Sequence, residues 1–221
     1  MSLTARLPTE SARSVAPRPP LAKRSFDVVL SGLGIVASAP LSVLIALLVK
    51  LEDGGPVFYS HERVGAGGRL FRAWKFRSMV PDSDRTFGPR QASAQDPRVT
   101  RIGRLLRATA MDELPQLWSI LRGEMSFVGP RALLPQENEV RGDGRVVPLA
   151  QIPGYDLRHK AVPGLTGLAQ VYADRDVTRR QKFRYDILYV RRQAFWLDLR
   201  LIALSFWITF RGGWEKRGTK F

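Results

Sequence analysis

The longest stretch of the chain without a charged side chain runs from residue 28 to residue 49 and is almost wholly apolar. About twenty apolar residues cross a bilayer core as a helix, so this stretch is a candidate membrane segment. Pro40 falls inside it, where the missing N–H removes a helix hydrogen bond and kinks the helix. Downstream, apolar runs at 57–59 and 70–74 read as two strands, and Gly65-Ala66-Gly67-Gly68 between them reads as the turn of a hairpin. Residues 101–107 form a basic helical turn or two. Leu114, Leu117, Trp118 and Leu121 recur at i, i+3, i+4 and i+7, which is one apolar helix face. Residues 133–140 read as a further short helix, and 178–192 as a helix with Phe183, Ile187 and Val190 on one side. The last uncharged run, 201–210, is too short to span a bilayer. With Trp196, Trp207 and Trp214 and the basic residues Arg211, Lys216, Arg217 and Lys220, it suits a helix lying in the membrane interface.

These elements predict an α+β fold, predominantly α-helical, with a small β-hairpin. Three parts follow along the chain. Residues 1–22, with Pro8, Pro17, Pro19 and Pro20, form a flexible tail. Residues 23–50 form the membrane helix, and residues 51–221 form one domain with interfacial amphipathic helices. Four readings compete for the membrane segment. A cleaved signal peptide fits poorly, because Pro40 follows Ala37-Ser38-Ala39 directly and the apolar run continues past it. A spanning helix puts its two flanks on opposite faces. Here both flanks are basic, with Arg13, Arg18, Lys23 and Arg24 before and Lys50, Arg63, Arg69, Arg72, Lys75 and Arg77 after. Basic flanks stay cytoplasmic, which favours a re-entrant helix that enters and leaves one leaflet. A buried core helix of a soluble protein is the remaining alternative.

Charge narrows the partners. The 221 residues hold 35 Lys and Arg against 20 Asp and Glu, a formal net charge of +15. Such a surface attracts nucleic acid, anionic lipid or a phosphorylated substrate. Nothing in the chain matches a nucleic-acid-binding motif, and such a module would leave the apolar segment unexplained. With no cysteine, and with His61 and His159 as the only histidines, thiolate chemistry is excluded and zinc or Ser-His-Asp chemistry is poorly supplied. Oxygen ligands and a hard ion such as Mg2+ fit better.

The most suggestive block runs from Asp96 through Arg98, Arg101, Arg104 and Arg107 to the adjacent acids Asp112 and Glu113. As plain structure it is a helix start, and Thr109 with Asp112 has the spacing of a capping box. As chemistry, adjacent carboxylates hold magnesium and still leave an oxygen free. The guanidinium groups bind phosphate in bidentate fashion, and Lys75, Arg77 and Arg131 add further cations. A carboxylate nucleophile needs no histidine base. Phosphoryl transfer, which depends mainly on positioning and charge neutralisation, matches this inventory.

Asp112-Glu113-Leu114-Pro115-Gln116-Leu117-Trp118 followed by Gly123-Glu124-Met125-Ser126-Phe127-Val128-Gly129-Pro130-Arg131 resembles the bacterial sugar transferase family, the monotopic polyprenyl-phosphate phosphoglycosyl transferases. The segments 23–27, 75–79, 96–107, 163–171 and 195–200 match as well, in the expected order. The resemblance implies a re-entrant membrane helix kinked at a proline, here Pro40, and an active site at the cytoplasmic face of the bacterial inner membrane. It implies Mg2+ held by Glu113 and Asp112. It implies that Asp112 attacks a UDP-sugar, releases UMP, and passes the sugar phosphate to polyprenyl (undecaprenyl) phosphate, so starting a lipid-linked glycan or exopolysaccharide. Lys75, Arg77, Arg107 and Arg131 are the expected phosphate-binding residues, and an anionic lipid membrane is the expected surface. Ala39 stands where the family often has serine before the proline, and Ala132 and Leu168 replace a frequent proline and tryptophan; none of these touches the acidic pair. The rival reading is a non-catalytic basic protein at the membrane surface. A homodimer is compatible with all of this, though no residue argues for it.

Overall fold

Helix α1 (Leu21–Asp53) carries the whole apolar segment, and Pro40 lies inside it. At 1.5 Å per residue, its 33 residues make a rod about 50 Å long. It ends at Gly54, whose φ of 73° puts it in the left-handed region and whose N–H closes on the Lys50 carbonyl at 3.0 Å. In the computed structural model, residues 19–81, 96–140, 142–174 and 177–211 are described. The tail over 1–18, most of the polar loop over 81–97 and the basic residues beyond 211 lie outside the described residues.

The helix is polar inside and apolar outside. Its buried positions are Lys23, Asp27 and Ser31, then Ile45 and Val49. Val29, Leu33, Val36, Val43, Leu47 and Leu51 are exposed. Only 11% of its most apolar eighteen-residue window is buried, so the core-helix alternative fails. Water is a poor solvent for such a face, and hydrocarbon is a good one.

Both ends of α1 are tied to the same body. Near the N-terminus, Lys23 Nζ donates to Asp198 (2.7 Å) and to the Val128 carbonyl (2.9 Å), while Asp27 accepts from the Phe127 N–H (3.1 Å). Arg24 donates to the Ile120 and Leu121 carbonyls at 2.7 and 2.6 Å. At the C-terminus, Asp53 pairs with Arg77, and Glu52 accepts from the Arg101 N–H at 2.7 Å.

Among the described residues the strands form three two-stranded sheets. β1 (Phe58–Val64) and β2 (Leu70–Phe76) are the expected hairpin, antiparallel, with Tyr59 opposite Lys75 and Arg63 opposite Phe71. β3 (Ser126–Val128) pairs in parallel with β6 (Gly164–Thr166), and β4 (Asn138–Val140) pairs antiparallel with β5 (Val146–Pro148). The short helix expected over 133–140 is therefore replaced: Leu133 bridges to Val64, and 138–140 is a strand. Local apolar spacing there reflects sheet pairing with distant partners, which the chain order hides.

The helices complete the body: α2 (Arg101–Thr109), α3 (Gln116–Arg122), α4 (Tyr155–Arg158), α5 (Leu168–Tyr172), α6 (Arg179–Arg191) and α7 (Phe195–Phe210). Thr178 caps α6 in a capping box with Gln181, matching the helix expected there. Phe76 of β2 and Leu106 of α2 pack against Ile45 and Val49 of α1. Leu117, Ile120, Met125, Phe71 and Ala73 form a neighbouring cluster. On α7, Asp198 and Leu201 point inward, while Trp196, Phe206, Trp207 and Phe210 are exposed. The fold is thus α+β and mostly helical, with one long apolar N-terminal helix.

Candidate active site

The acidic pair does not begin a capping box. Thr100 is the residue that caps α2, accepting from the Gly103 N–H at 2.9 Å, and the Thr109 hydroxyl instead donates back to the Leu105 carbonyl at 2.8 Å. After α2 the chain turns at Ala110, whose φ of 56° is the one positive value at a non-glycine among the described residues. A left-handed alanine costs about 1 kcal/mol or more and persists where the surroundings demand it. It throws Met111–Glu113 into a single 3-10 turn, from which α3 continues after Pro115. Asp112 is buried and Glu113 half-buried.

Lys75 reaches this turn from β2. The period-two alternation of the strand sets Phe71 and Ala73 on its buried face, and Lys75 follows them on that face. Its ammonium donates to Glu113 Oε1 and lies 3.7 Å from Asp112 Oδ2. The two acids respond in opposite directions. Burial pushes the Asp112 carboxyl above the ordinary carboxylate range, with Lys75 and then Arg107 opposing and Glu113 reinforcing. Burial pushes Glu113 up too, but Lys75, Arg131 and Arg63 outweigh it and hold that carboxyl below its ordinary value. Neighbouring acids split in this way take different roles.

The remaining cations come from separate elements. Arg107, in the last turn of α2, donates from Nε to Ser78 Oγ at 3.0 Å. Arg131 follows β3 on a strand end pressed so close to β6 that a Cβ at Gly164 would fall 2.0 Å from the Gly129 nitrogen. Arg63 comes from β1 and donates to the Ala132 carbonyl at 3.1 Å. An open cleft between hairpin and turn is lined by His61, Arg63, Ala73, Lys75, Glu113, Gln116, Met125, Arg131, Ala132, Gly164 and Leu165.

Of the expected residues, the structure therefore brings Lys75, Arg107, Arg131, Asp112 and Glu113 into one electrostatic group. Arg77 is the exception. Its side chain faces away and is consumed by structure: Nε donates to the Pro56 carbonyl, Nη1 to Asp53 and the Met79 carbonyl, and Nη2 to Asp53 and the Val49 carbonyl. No donor is left for a phosphate, because Arg77 lies just past the end of β2, where the C-terminus of α1 presents Asp53 to it. Arg98 is likewise buried against Asp96. Arg63, His61 and Gln116 line the cleft without having been singled out. The signal for Arg63 and His61 was the hairpin register, which follows from the glycine turn but needs its pairing partner to be known; Gln116 opens α3.

Asp112 and Glu113 are adjacent acids, of which Glu113 lines the cleft, and among the described residues no third His, Cys, Asp or Glu joins them as a metal-binding group. Two carboxylates suit a magnesium ion, which keeps waters and takes substrate phosphate oxygens for the rest of its shell.

The profile of the bacterial sugar transferase family matches residues 18–212. The chain belongs to this family. Among its relatives, an undecaprenyl-phosphate glucose phosphotransferase of Komagataeibacter xylinus is 45% identical over 190 residues, covering 84% of this chain and 35% of that protein. The exopolysaccharide production protein ExoY of Rhizobium meliloti (strain 1021) is 37% identical over 207 residues, covering 87% of each. A UDP-N-acetylgalactosamine-undecaprenyl-phosphate N-acetylgalactosaminephosphotransferase of Aeromonas hydrophila is 40% identical over 184 residues, covering 81% of this chain and 41% of that protein. The chain thus spans well under half the length of several relatives, and most of the length of others in the family.

Proposed function

We propose that this chain is a polyprenyl-phosphate sugar-1-phosphate transferase, taking the sugar phosphate from a UDP-sugar, releasing UMP, and starting a lipid-linked glycan. The observation that carries this reading is the Lys75–Asp112–Glu113 group, a buried carboxylate and a more open one sharing a single ammonium. Asp112 is the nucleophile. Its oxygen bonds to the β-phosphorus of the donor, the bond to the bridging oxygen breaks, and UMP leaves with that electron pair. A phosphate oxygen of the polyprenyl acceptor then bonds to the same phosphorus and frees Asp112. Burial makes the Asp112 anion poorly solvated, which favours its attack on phosphorus once Lys75 and Arg107 have offset the donor's charge. Glu113, kept ionised, stays available as the orienting carboxylate. A magnesium ion held by Asp112 and Glu113 would supply further neutralisation of the phosphates. The relatives' names include both glucose and N-acetylgalactosamine, so the sugar is chosen by experiment.

The chain works at a membrane, on the cytoplasmic face of the bacterial inner membrane. A spanning α1 would separate its ends by a bilayer, yet Lys23 and Asp53 are both fastened to the catalytic body. The re-entrant arrangement satisfies both attachments, with Pro40 leaving the Val36 carbonyl without its helix donor. A label at residue 1 reachable only from the periplasm would sink this topology.

The reaction is tested by intact mass and UMP release, using detergent-solubilised protein, Mg2+ and a panel of UDP-sugars. Wild type gains one sugar phosphate without acceptor. Asp112→Asn gains none and turns over at least about a thousandfold more slowly, as expected when a nucleophile is removed. Undiminished UMP release by Asp112→Asn would overturn the assignment.

A further inference from the structure

We propose that Arg63 and Arg131 form a two-guanidinium clamp on the diphosphate of the nucleoside diphosphate-sugar donor. The identity of the anion rests on the transferase reading above; the clamp rests on geometry.

Two guanidinium groups line one cleft beside Glu113, and both act on that carboxylate. Among the described residues, neither is ion-paired. The single carboxylate between them is already hydrogen-bonded to Lys75. Arg63 uses one donor, on the Ala132 carbonyl, and is half-buried. Burial and then the neighbouring Arg131 charge both disfavour its ionised form. Arginine stays charged nonetheless, so the repulsion persists until an anion relieves it.

The structural arginines of this protein are built differently. Arg77 and Arg158 each hold a carboxylate, Asp53 and Asp186, and spend their other donors on carbonyls or a ring nitrogen. Arg158 also serves the clamp, because its Nη2 donates to the Arg131 carbonyl at 2.5 Å. With the Gly164 N–H on the Pro130 carbonyl at 3.0 Å, this fixes the backbone that carries Arg131. Two guanidinium forks lining one cleft, one of them on a held backbone, fit the several oxygens of a diphosphate. The cations acting on the acidic pair, Lys75, Arg63, Arg107 and Arg131, outnumber its carboxylates by two.

The test uses the full chain in detergent, with UDP and inorganic pyrophosphate as probes. Binding is read by calorimetry, and unliganded stability by thermal unfolding, for wild type, Arg63→Gln and Arg63→Lys. Arg63→Gln should weaken UDP by about tenfold or more, with the unliganded midpoint unchanged or higher because a like charge is gone. Arg63→Lys, which keeps the charge and loses the fork, should fall between. In turnover, the donor KM rises and the acceptor KM stays. UDP affinity equal to wild type in either folded variant overturns the clamp, as does a wild type that binds neither probe. A lower unliganded midpoint with affinity kept also overturns it, making Arg63 a structural residue. If wild type releases no UMP from any donor, the transferase reading fails while the UDP comparison still decides the clamp.

Discussion

Cationic side chains are held in two ways in this protein. Beneath α1, Lys23 is matched: Asp198, the Tyr189 hydroxyl and the Val128 carbonyl take its three protons. Beneath β3, Arg158 is matched by Asp186, His159 and the Arg131 carbonyl. In the cleft the match fails: half-buried Arg63 and exposed Arg131 both act on Glu113, a carboxylate that Lys75 already occupies. The matched groups hold elements together. The unmatched group waits for an anion, at some cost to the unliganded fold. A surplus of unpaired charge in a cleft therefore locates function better than buried charge itself.

Breaking a matched group should show mainly as lost stability. Lys23→Met leaves Asp198 buried without its cation, and α1 loses one of its N-terminal fastenings. Unfolding in detergent should be easier by about 3–5 kcal/mol, the usual cost of stripping one partner from a buried pair. A loss near zero would mean that lipid or water replaces the lysine.

The second effect is a pH dependence. Burial and then the Arg158 charge lower His159 to about 4, from an unfolded value of 6.5. The Arg158 side chain can only donate to Nε2, so the neutral ring carries its proton on Nδ1, directed at the Tyr155 carbonyl at 2.7 Å. The folded state thus refuses a proton that the unfolded state accepts. This contribution is complete above pH 6.5 and is lost as pH falls from 6.5 towards 4, by up to about 3 kcal/mol. Thermal midpoints of wild type and His159→Gln measured across that window check it; parallel curves would refute it.

The smallest effect sharpens the comparison most. Lys75 and Arg77 lie two residues apart, one in the cleft and one consumed by Asp53. Arg77→Gln should lower stability by about 2 kcal/mol, Asp53 being partly exposed, and leave the KM for donor unchanged in folded protein. A raised donor KM at unchanged stability would return Arg77 to the phosphate-binding set.

Much of this site was legible in the chain. Lys75, Arg107, Asp112, Glu113 and Arg131 lie in dense local motifs, and short-range spacing carries them. Arg77 looked identical to Lys75 by charge and neighbourhood. Only the C-terminus of α1, folding back to present Asp53, distinguishes them. Arg63 sat among many basic residues after the membrane segment. Its place depends on the hairpin register together with the β3–β6 contact that brings Arg131 across, two long-range events with no local trace.

The sequence by itself determined the apolar α1, the hairpin with its glycine turn, the helix begun at Thr178, and the acidic pair with its cations, because each depends on neighbours a few residues away. The tertiary structure alone decided that α1 turns its polar face inward, that 133–140 pairs as strand, that Ala110 forces the acids into one turn, and which arginines keep free donors. Those outcomes depend on groups a hundred residues apart competing for the same partners, and such competition is settled only when the chain has closed.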